Sequence, residues 1–390
     1  MSDSVSVYIH IPFCRTRCFY CDFNTFSGRE RLIPDYVTAL CSELTRQKPY
    51  VGTPVHSVYF GGGTPSRLDV SDVQRIMTAV KDTFELIPDA EITFEMNPCD
   101  VTADYAAALA DIGINRVSLG MQSAVPEELK RMGRRHTHEQ TAAAVDVLRD
   151  AGLRNISLDL IYGYPGQTME NWQRSVAAAM ELDIQHISLY ALSVEEGSAL
   201  RRQLEMGKLT LPDEELTVAM YEYAAKTLTS KGETVPQWLS RNITSKCFEH
   251  YEISNWALPG FEAVHNSAYW SRHPYVGLGP GAHSFDGITR FWNKDTLPGP
   301  AQQDVSGGSL PLRGGKEVLS EREALEEEIM LGLRTARGVP EGLLDAARAA
   351  AMLADGRLVR VPDGQPGGAG RVRIPEDRWF VSDDIIADLI

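Results

Sequence analysis

The sequence predicts an α/β protein: six β-then-α units forming a parallel sheet, closed partly or wholly into a barrel, followed by a small α+β module. Three observations carry this. Short apolar runs alternate with longer amphipathic segments through the first half of the chain, the pattern of parallel strands joined by right-handed helical crossovers. The runs themselves, such as Ser57 to Phe60 and Ile156 to Ile161, are largely apolar, as expected of strands covered by helices. Polar and glycine-rich departures fall at the C-terminal ends of those runs, where β/α barrels gather their chemistry.

In order, the expected strands are Val5–Ile11, Ser57–Phe60, Glu91–Glu95, Arg116–Gly120, Ile156–Ile161 and His186–Leu192. Helical periodicity falls between them, over Asp35–Gln47, Val70–Glu85, Ala103–Ile112, Glu127–Arg131 with Glu139–Ala151, and Met169–Leu182. Pro12 stops the first strand, because proline cannot donate to a ladder. Asp69 or Ser71 is placed to cap the second helix and Thr102 the third. Glu233 to Lys246, with its Pro-Gln-Trp-Leu, reads as an insertion without an assigned role. Ala268 to Asn293 is dense in glycine, proline and aromatics, and Gly277 to Phe285 reads as a buried loop. Leu297 to Gly315 has the composition of a linker. Glu321–Thr335 is then an amphipathic helix carrying Leu325, Ile329, Leu331 and Leu333, and Leu343–Leu353 a second. Strands at Arg357–Val361 and Arg371–Ile374, joined by a turn at Gly364–Gly370, precede a final helix from Ser382. That helix-helix-strand-strand order looks like a winged helix. The expected domain bounds are 1–232, 233–296, 297–318 and 319–390.

Composition excludes several classes. A net charge of −15, from 38 basic and 53 acidic residues, argues against nucleic acid as a bulk partner. No run of about 20 apolar residues exists to cross a membrane. The N-terminus lacks the basic and apolar regions of a secretion signal. Six cysteines in 390 residues argue against a disulfide framework and for the reducing cytoplasm. The charge does not exclude contact with a membrane protein.

The most specific feature is Cys14, Cys18 and Cys21, spaced C-x3-C-x2-C on the loop that follows the first strand. A closed zinc or electron-transfer iron-sulfur site takes four protein ligands, so three thiolates on a cubane of four irons leave one iron open. The alternatives are structural cysteines, or zinc with a distant fourth ligand such as Cys41 or Cys99. Gly61-Gly62-Gly63-Thr64-Pro65 follows the second strand. It either makes a tight βα turn or lets backbone groups approach a ligand. Glu95 and Asp159 are carboxylates in otherwise apolar strands, and each needs a partner, whether a ligand or a structural arginine.

The cysteine loop, with Tyr20 just before its last cysteine, resembles that of the radical S-adenosylmethionine enzymes, and Gly-Gly-Gly-Thr-Pro resembles their second motif. Tyr8-Ile-His-Ile-Pro-Phe-Cys14, Tyr59 to Ser66, Glu95-Met-Asn-Pro98, Leu158 to Gly163 and Tyr251-Glu-Ile-Ser-Asn255 look like the group that holds oxygen-independent coproporphyrinogen oxidases and heme chaperones. This resemblance implies a partial (β/α)6 radical barrel with a 4Fe-4S cluster on Cys14, Cys18 and Cys21. It implies S-adenosylmethionine held by Tyr8, Gly62, Gly63 and Thr64 around the methionine moiety, Arg134 at its carboxylate, and Glu95, Gln122 and Asp159 around the ribose. Reductive cleavage of that cofactor to a 5′-deoxyadenosyl radical is the chemistry such a site supports.

Three departures separate the two branches. Phe23 stands where the oxidases carry a further cysteine, no long extension precedes the first strand, and His265-Asn-Ser-Ala-Tyr269-Trp270 matches a motif associated with heme binding in the chaperones. All three point to the chaperone branch. The resemblance then implies heme as a third ligand and delivery of heme to respiratory apoproteins, with oxidative decarboxylation of coproporphyrinogen III as the alternative. His265 is the candidate heme ligand, with Tyr269 and Trp270 packing on the porphyrin. A lone histidine between apolar residues can equally be a core group, and His273, His283 and Cys247 compete with it.

Overall fold

The computed structural model describes residues 4–47, 50, 52–230, 247–297, 313–362 and 370–390. The expected insertion Glu233–Lys246, most of the expected linker and the turn near Gly364–Gly370 lie outside them. Six parallel strands form the centre: β1 (Val5–Ile11), β2 (Pro54–Gly62), β3 (Glu85–Met96), β4 (Arg116–Gln122), β5 (Asn155–Tyr162) and β6 (His186–Ala191). The helices between them are α1 (Ile33–Thr45), α2 (Val70–Thr83), α3 (Ala103–Ile112), α4 (Pro126–Met132), α5 (His138–Asp150) and α6 (Met169–Glu181). Thr102 caps α3, its hydroxyl accepting from the Tyr105 N–H, whereas the Asp69 side chain makes no capping bond to α2. Two helices went unread in the sequence, α7 (Ala199–Glu205) and α8 (Glu214–Thr229), although Asp213 with Glu214 and Glu215 is a legible helix start.

The expected segment 233–296 is not a separate unit. β7 (Glu249–Glu252) and β8 (Asn255–Ala257) extend the sheet antiparallel beyond β6. β9 (Tyr275–Leu278) pairs parallel with β1 on the other side, and β10 (His283–Phe285), β11 (Thr289–Asn293) and β12 (Arg313–Val318) follow antiparallel. The sheet thus has twelve strands in the order β12-β11-β10-β9-β1-β2-β3-β4-β5-β6-β8-β7 and stays open at its ends. The last six residues of the expected linker are strand β12, because they pair with β11. Short strands that pair locally leave no long apolar run to read.

Register explains what the sheet is for. Tyr8 pairs with Tyr59 and Tyr59 with Thr93; Glu95 pairs with Ser118, and Asp159 with Ser188. Every second residue on one face is therefore polar. The alternating positions Val7, Ile9, Val58, Phe60, Phe94, Val117, Leu119, Leu158 and Leu160 join the main apolar core. A parallel sheet buried by helices on both faces would be apolar throughout. Here the second face is a polar bowl, suited to a polar ligand.

The C-terminal module has its own core around Trp379, which is fully buried and donates its indole N–H to the Ile374 carbonyl. It contains α10 (Glu321–Gly332), α11 (Ala346–Ala354), α12 (Ser382–Ala387) and three short antiparallel strands, β13 (Val339–Pro340), β14 (Val359–Arg360) and β15 (Arg371–Arg373), in the order β13-β15-β14. It joins the sheet edge at β7: the Ala336 N–H donates to the Tyr251 carbonyl and the Ile253 N–H to that of Arg334. No described helix is long and apolar enough to cross a membrane.

Candidate functional site

The C-terminal ends of the central strands open into a cavity of about 530 Å³. Cys14, Cys18 and Cys21 form one wall, and Gly62, Gly63, Thr64, Glu95, Gln122, Arg134 and Asp159 face it from successive strand ends. The cysteine loop is fixed from several sides. Phe26 N–H donates to the Pro12 carbonyl, Phe19 N–H to Met132, and Leu200 N–H to Phe19. The Cys14 thiol lies 3.4 Å from the Thr64 hydroxyl, and Arg134 Nη1 is 3.6 Å from Cys18 Sγ. Burial raises the Cys14 thiol and pushes Cys21 up to about 11, so metal binding must supply the drive to the thiolate form. All six cysteines are free. Among the described residues no three His, Cys, Asp or Glu side chains close on one point, as a single zinc ion would require.

Glycine is needed in the next loop for a reason the sequence did not disclose. A Cβ on Gly63 would sit 2.7 Å from the Ile11 carbonyl oxygen and 3.0 Å from Phe13 N, and one on Gly62 2.4 Å from the His10 ring. Gly62 also takes a φ of +105°, where a side chain is strained. Both glycines therefore seat the cysteine loop against β2. A side chain at Gly63 would therefore displace the cysteine loop as well as any ligand beside it. Tyr8 is not among the residues that line the cavity. It lies beneath the cavity, stacked 6.1 Å from Tyr59, and its hydroxyl meets His10 Nδ1 at 3.0 Å. His10 Nε2 donates to the Asn24 carbonyl at 2.9 Å. Tyr8 thus backs the loop instead of lining the cavity.

The carboxylates are held but not saturated. Tyr59 donates to Glu95 Oε1 at 2.7 Å and the Gly62 N–H to Oε2 at 3.2 Å. Ser118 donates to both oxygens of Asp159, at 3.1 and 3.2 Å. A carboxylate offers about four acceptor positions, so capacity remains on the cavity side. Burial is the main cause that pushes Glu95 up to about 7 and Asp159 to about 6. Gln122 holds a φ of +64° at a break in the β4–β5 register; a non-glycine residue there marks a site where fold and function compete. Arg134 donates to Asn97 Oδ1 at 2.6 Å and to the Gly120 carbonyl at 2.7 Å. Asn97, Tyr59 and Ser118, which orient these groups, were not singled out from the sequence as site residues.

His265 is elsewhere. It is 1% exposed on α9 (Val264–Trp270) and outside the cavity. Its Nδ1 meets Ser57 Oγ at 2.9 Å and its Nε2 meets the Tyr269 hydroxyl at 2.8 Å. Its backbone N–H donates to Glu91 Oε1 at 3.0 Å, and burial pushes the imidazole down to about 3. Both ring nitrogens are thus occupied inside the protein. This is the arrangement of a core histidine, and axial ligation of heme by His265 would require breaking it.

A model of the radical SAM superfamily matches residues 8–179. Among curated proteins, the chain is 39% identical over 360 residues to "Heme chaperone HemW" of Mycobacterium tuberculosis, covering 90% of this chain and 88% of that one. Against the protein of the same name from Lactococcus lactis it is 36% identical, covering 86% and 82%. The chain belongs to the HemW family of radical S-adenosylmethionine proteins. The chain is also 33% identical to "Radical S-adenosyl methionine domain-containing protein 1, mitochondrial" of Danio rerio, over 86% of this chain and 73% of that one. Among solved structures, the coproporphyrinogen III oxidase HemN of Escherichia coli superposes with a TM-score of 0.79 over 99% of this chain and 89% of that one, at 21% identity. That likeness establishes the shared fold.

The site fits what a radical SAM protein carries. Three thiols face one cavity, the glycine loop packs directly beneath them, and two buried carboxylates with spare acceptor positions line the adjoining wall.

Proposed function

We propose that this chain is a heme chaperone that binds a 4Fe-4S cluster, S-adenosylmethionine and heme and hands heme to respiratory apoproteins. The observation that carries the reading is identity of 39% to a curated heme chaperone along nearly the whole chain. Phe23 at the position where the oxidase branch has a further cysteine supports the same branch, and the side chain is 64% exposed at the cavity mouth.

In this reading Cys14, Cys18 and Cys21 hold three irons of the cluster. Glu95, Asp159 and Gln122 take the ribose side of S-adenosylmethionine, and Arg134, a fixed buried cation, takes its carboxylate. Glu95 and Asp159 must be ionised to accept hydroxyl donors at full strength. Thr64 lies against Cys14 and ties the glycine loop to the cluster wall. When bound, a reduced cluster of this type supplies an electron to the sulfonium of S-adenosylmethionine. Oxidative decarboxylation of coproporphyrinogen III has less support, since the likeness to HemN is one of fold.

The deciding experiment is anaerobic reconstitution of the cluster followed by parallel assays of heme uptake and coproporphyrinogen conversion. Heme uptake without conversion is the expected result. Conversion at enzyme-like rates would move the chain to the oxidase branch.

A further inference from the structure

A line of hydrogen bonds joins Cys14 to Cys18 through side chains from outside their loop. Arg134, just beyond α4, donates from Nη2 to Asn97 Oδ1 at 2.6 Å and holds Nη1 3.6 Å from Cys18 Sγ. Asn97, which follows β3, donates from Nδ2 to the Thr64 hydroxyl at 3.3 Å, and that hydroxyl stands 3.4 Å from Cys14 Sγ. The polarity of the line follows from which groups can donate. A guanidinium has no acceptor, so the Asn97 atom facing it is the carbonyl oxygen and the atom facing Thr64 is the amide nitrogen. An amide nitrogen only donates, so the Thr64 oxygen accepts from it, and the hydroxyl hydrogen is left for the Cys14 sulfur. The Thr25 hydroxyl faces the same sulfur and has no other hydrogen-bond partner.

We propose that Asn97 is a positioning residue for the 4Fe-4S cluster: by fixing the direction of this line it makes Thr64 and Arg134 donors to Cys14 and Cys18, and so raises the cluster's reduction potential. The inference rests on the cluster part of the proposed function and is independent of heme. Hydrogen bonds to a cluster's sulfurs are among the factors that set its potential, because a donor stabilises the charge that reduction adds. A neutral thiol is a weak acceptor and a thiolate a strong one. The donors gathered on Cys14 and Cys18 therefore reach full strength only when those sulfurs are ionised, as cluster ligation requires. Arg134 anchors the line, since its Nη2 also donates to the Gly120 carbonyl at 2.7 Å. Asn97 then transmits that fixed orientation to a hydroxyl that would otherwise be free to turn.

Asn97→Asp separates this role from that of a brace between loop and sheet. The variant keeps the shape of the side chain and an oxygen for Arg134, but it accepts where the amide donated. Thr64 then turns its hydrogen to the carboxylate and away from Cys14. Thr64→Val removes the same hydrogen while keeping the volume of the side chain.

The test is a redox titration of the reconstituted full chain, followed by electron paramagnetic resonance without S-adenosylmethionine, with iron and sulfide content measured on the same samples. Both single variants are expected to keep the wild-type iron and sulfide content and to move the midpoint to more negative potential. For Asn97→Asp the reduced-to-oxidised ratio at a fixed poise should fall about tenfold, ~59 mV for a one-electron couple. The shifts should be less than additive in the double variant, because both act through one hydrogen. Unchanged midpoints at full iron content, or strictly additive shifts, would overturn the proposal and leave the cluster reading standing. Loss of the cluster from both single variants would make the line a brace for the loop and overturn the proposal as well. A wild-type protein that takes up no cluster would overturn the cluster reading itself.

Discussion

The concave face of the sheet carries two sets of buried polar groups that differ in one respect. Near the C-terminal strand ends, Glu95 and Asp159 receive bonds from Tyr59, Gly62 and Ser118 and keep acceptor positions toward a cavity. Toward the N-terminal ends, Ser6, Ser57, His265 and Tyr269 form a chain in which both imidazole nitrogens are taken. Both sets are buried, and burial shifts the titration of both. The difference lies in saturation. A structural group has its bonds completed by the protein, whereas a binding group has some left for a ligand.

The sharpest break between the two regions is the cluster itself. Replacing Cys14, Cys18 or Cys21 by alanine should abolish the iron-sulfur content of reconstituted protein while far-ultraviolet circular dichroism stays native; replacing Cys41 or Cys99 should leave iron content intact. A cluster that depends on Cys99 would contradict the three-ligand reading. Gly63→Val follows in size. Its side chain meets the backbone of Ile11 to Phe13, so it should lose cluster and S-adenosylmethionine binding together, as iron analysis and calorimetry on one sample would reveal. His265→Ala belongs to the other region. It leaves a cavity and unpaired hydroxyls, and should lower unfolding free energy by about 3 kcal/mol with cluster content unchanged.

The pH dependence sharpens the contrast further. Glu95 and Asp159 titrate near 7 and near 6 in the folded protein, above ordinary carboxylates. The folded state thus holds protons that the unfolded chain has released. The stability these groups contribute is complete below the unfolded carboxylate range and is lost as pH rises through about 7. Affinity for S-adenosylmethionine should move the opposite way, rising between pH 5.5 and 7.5 as both carboxylates ionise. Calorimetric titration at several pH values checks this, and a flat profile would mean that neither carboxylate meets the ligand. The smallest effect is local: Thr102→Ala removes a helix cap and should cost about 1 kcal/mol, far from either region, as denaturant unfolding would measure.

The central β/α units were legible because their punctuation is local. Pro12 ends β1 at Ile11, and Thr102 with Gly113 brackets α3. β7 to β12 were not legible, because strands of three to six residues are too short to show a periodicity, and β8 and β9 are placed by β6 and β1, distant in sequence. The cysteines were legible from spacing alone. The roles of Tyr8 and Gly63 were not, since what each touches belongs to other strands and loops. His265 was the hardest: an isolated histidine reads the same whether its nitrogens are free or taken, and only Ser57, 208 residues away, decides. Gln122 was reached only through the family resemblance, and its positive φ emerges only from the broken register.

The most direct test of the distinction between saturated and unsaturated groups is a paired measurement on Glu95→Gln and His265→Ala. Thermal unfolding and S-adenosylmethionine affinity would be determined for each cluster-loaded variant. Glu95→Gln is expected to weaken binding by about tenfold or more with an unfolding midpoint at or above that of the wild type. His265→Ala is expected to lower the midpoint and leave the affinity unchanged. Loss of affinity in His265→Ala at a native midpoint, with Glu95→Gln binding normally, would contradict the account.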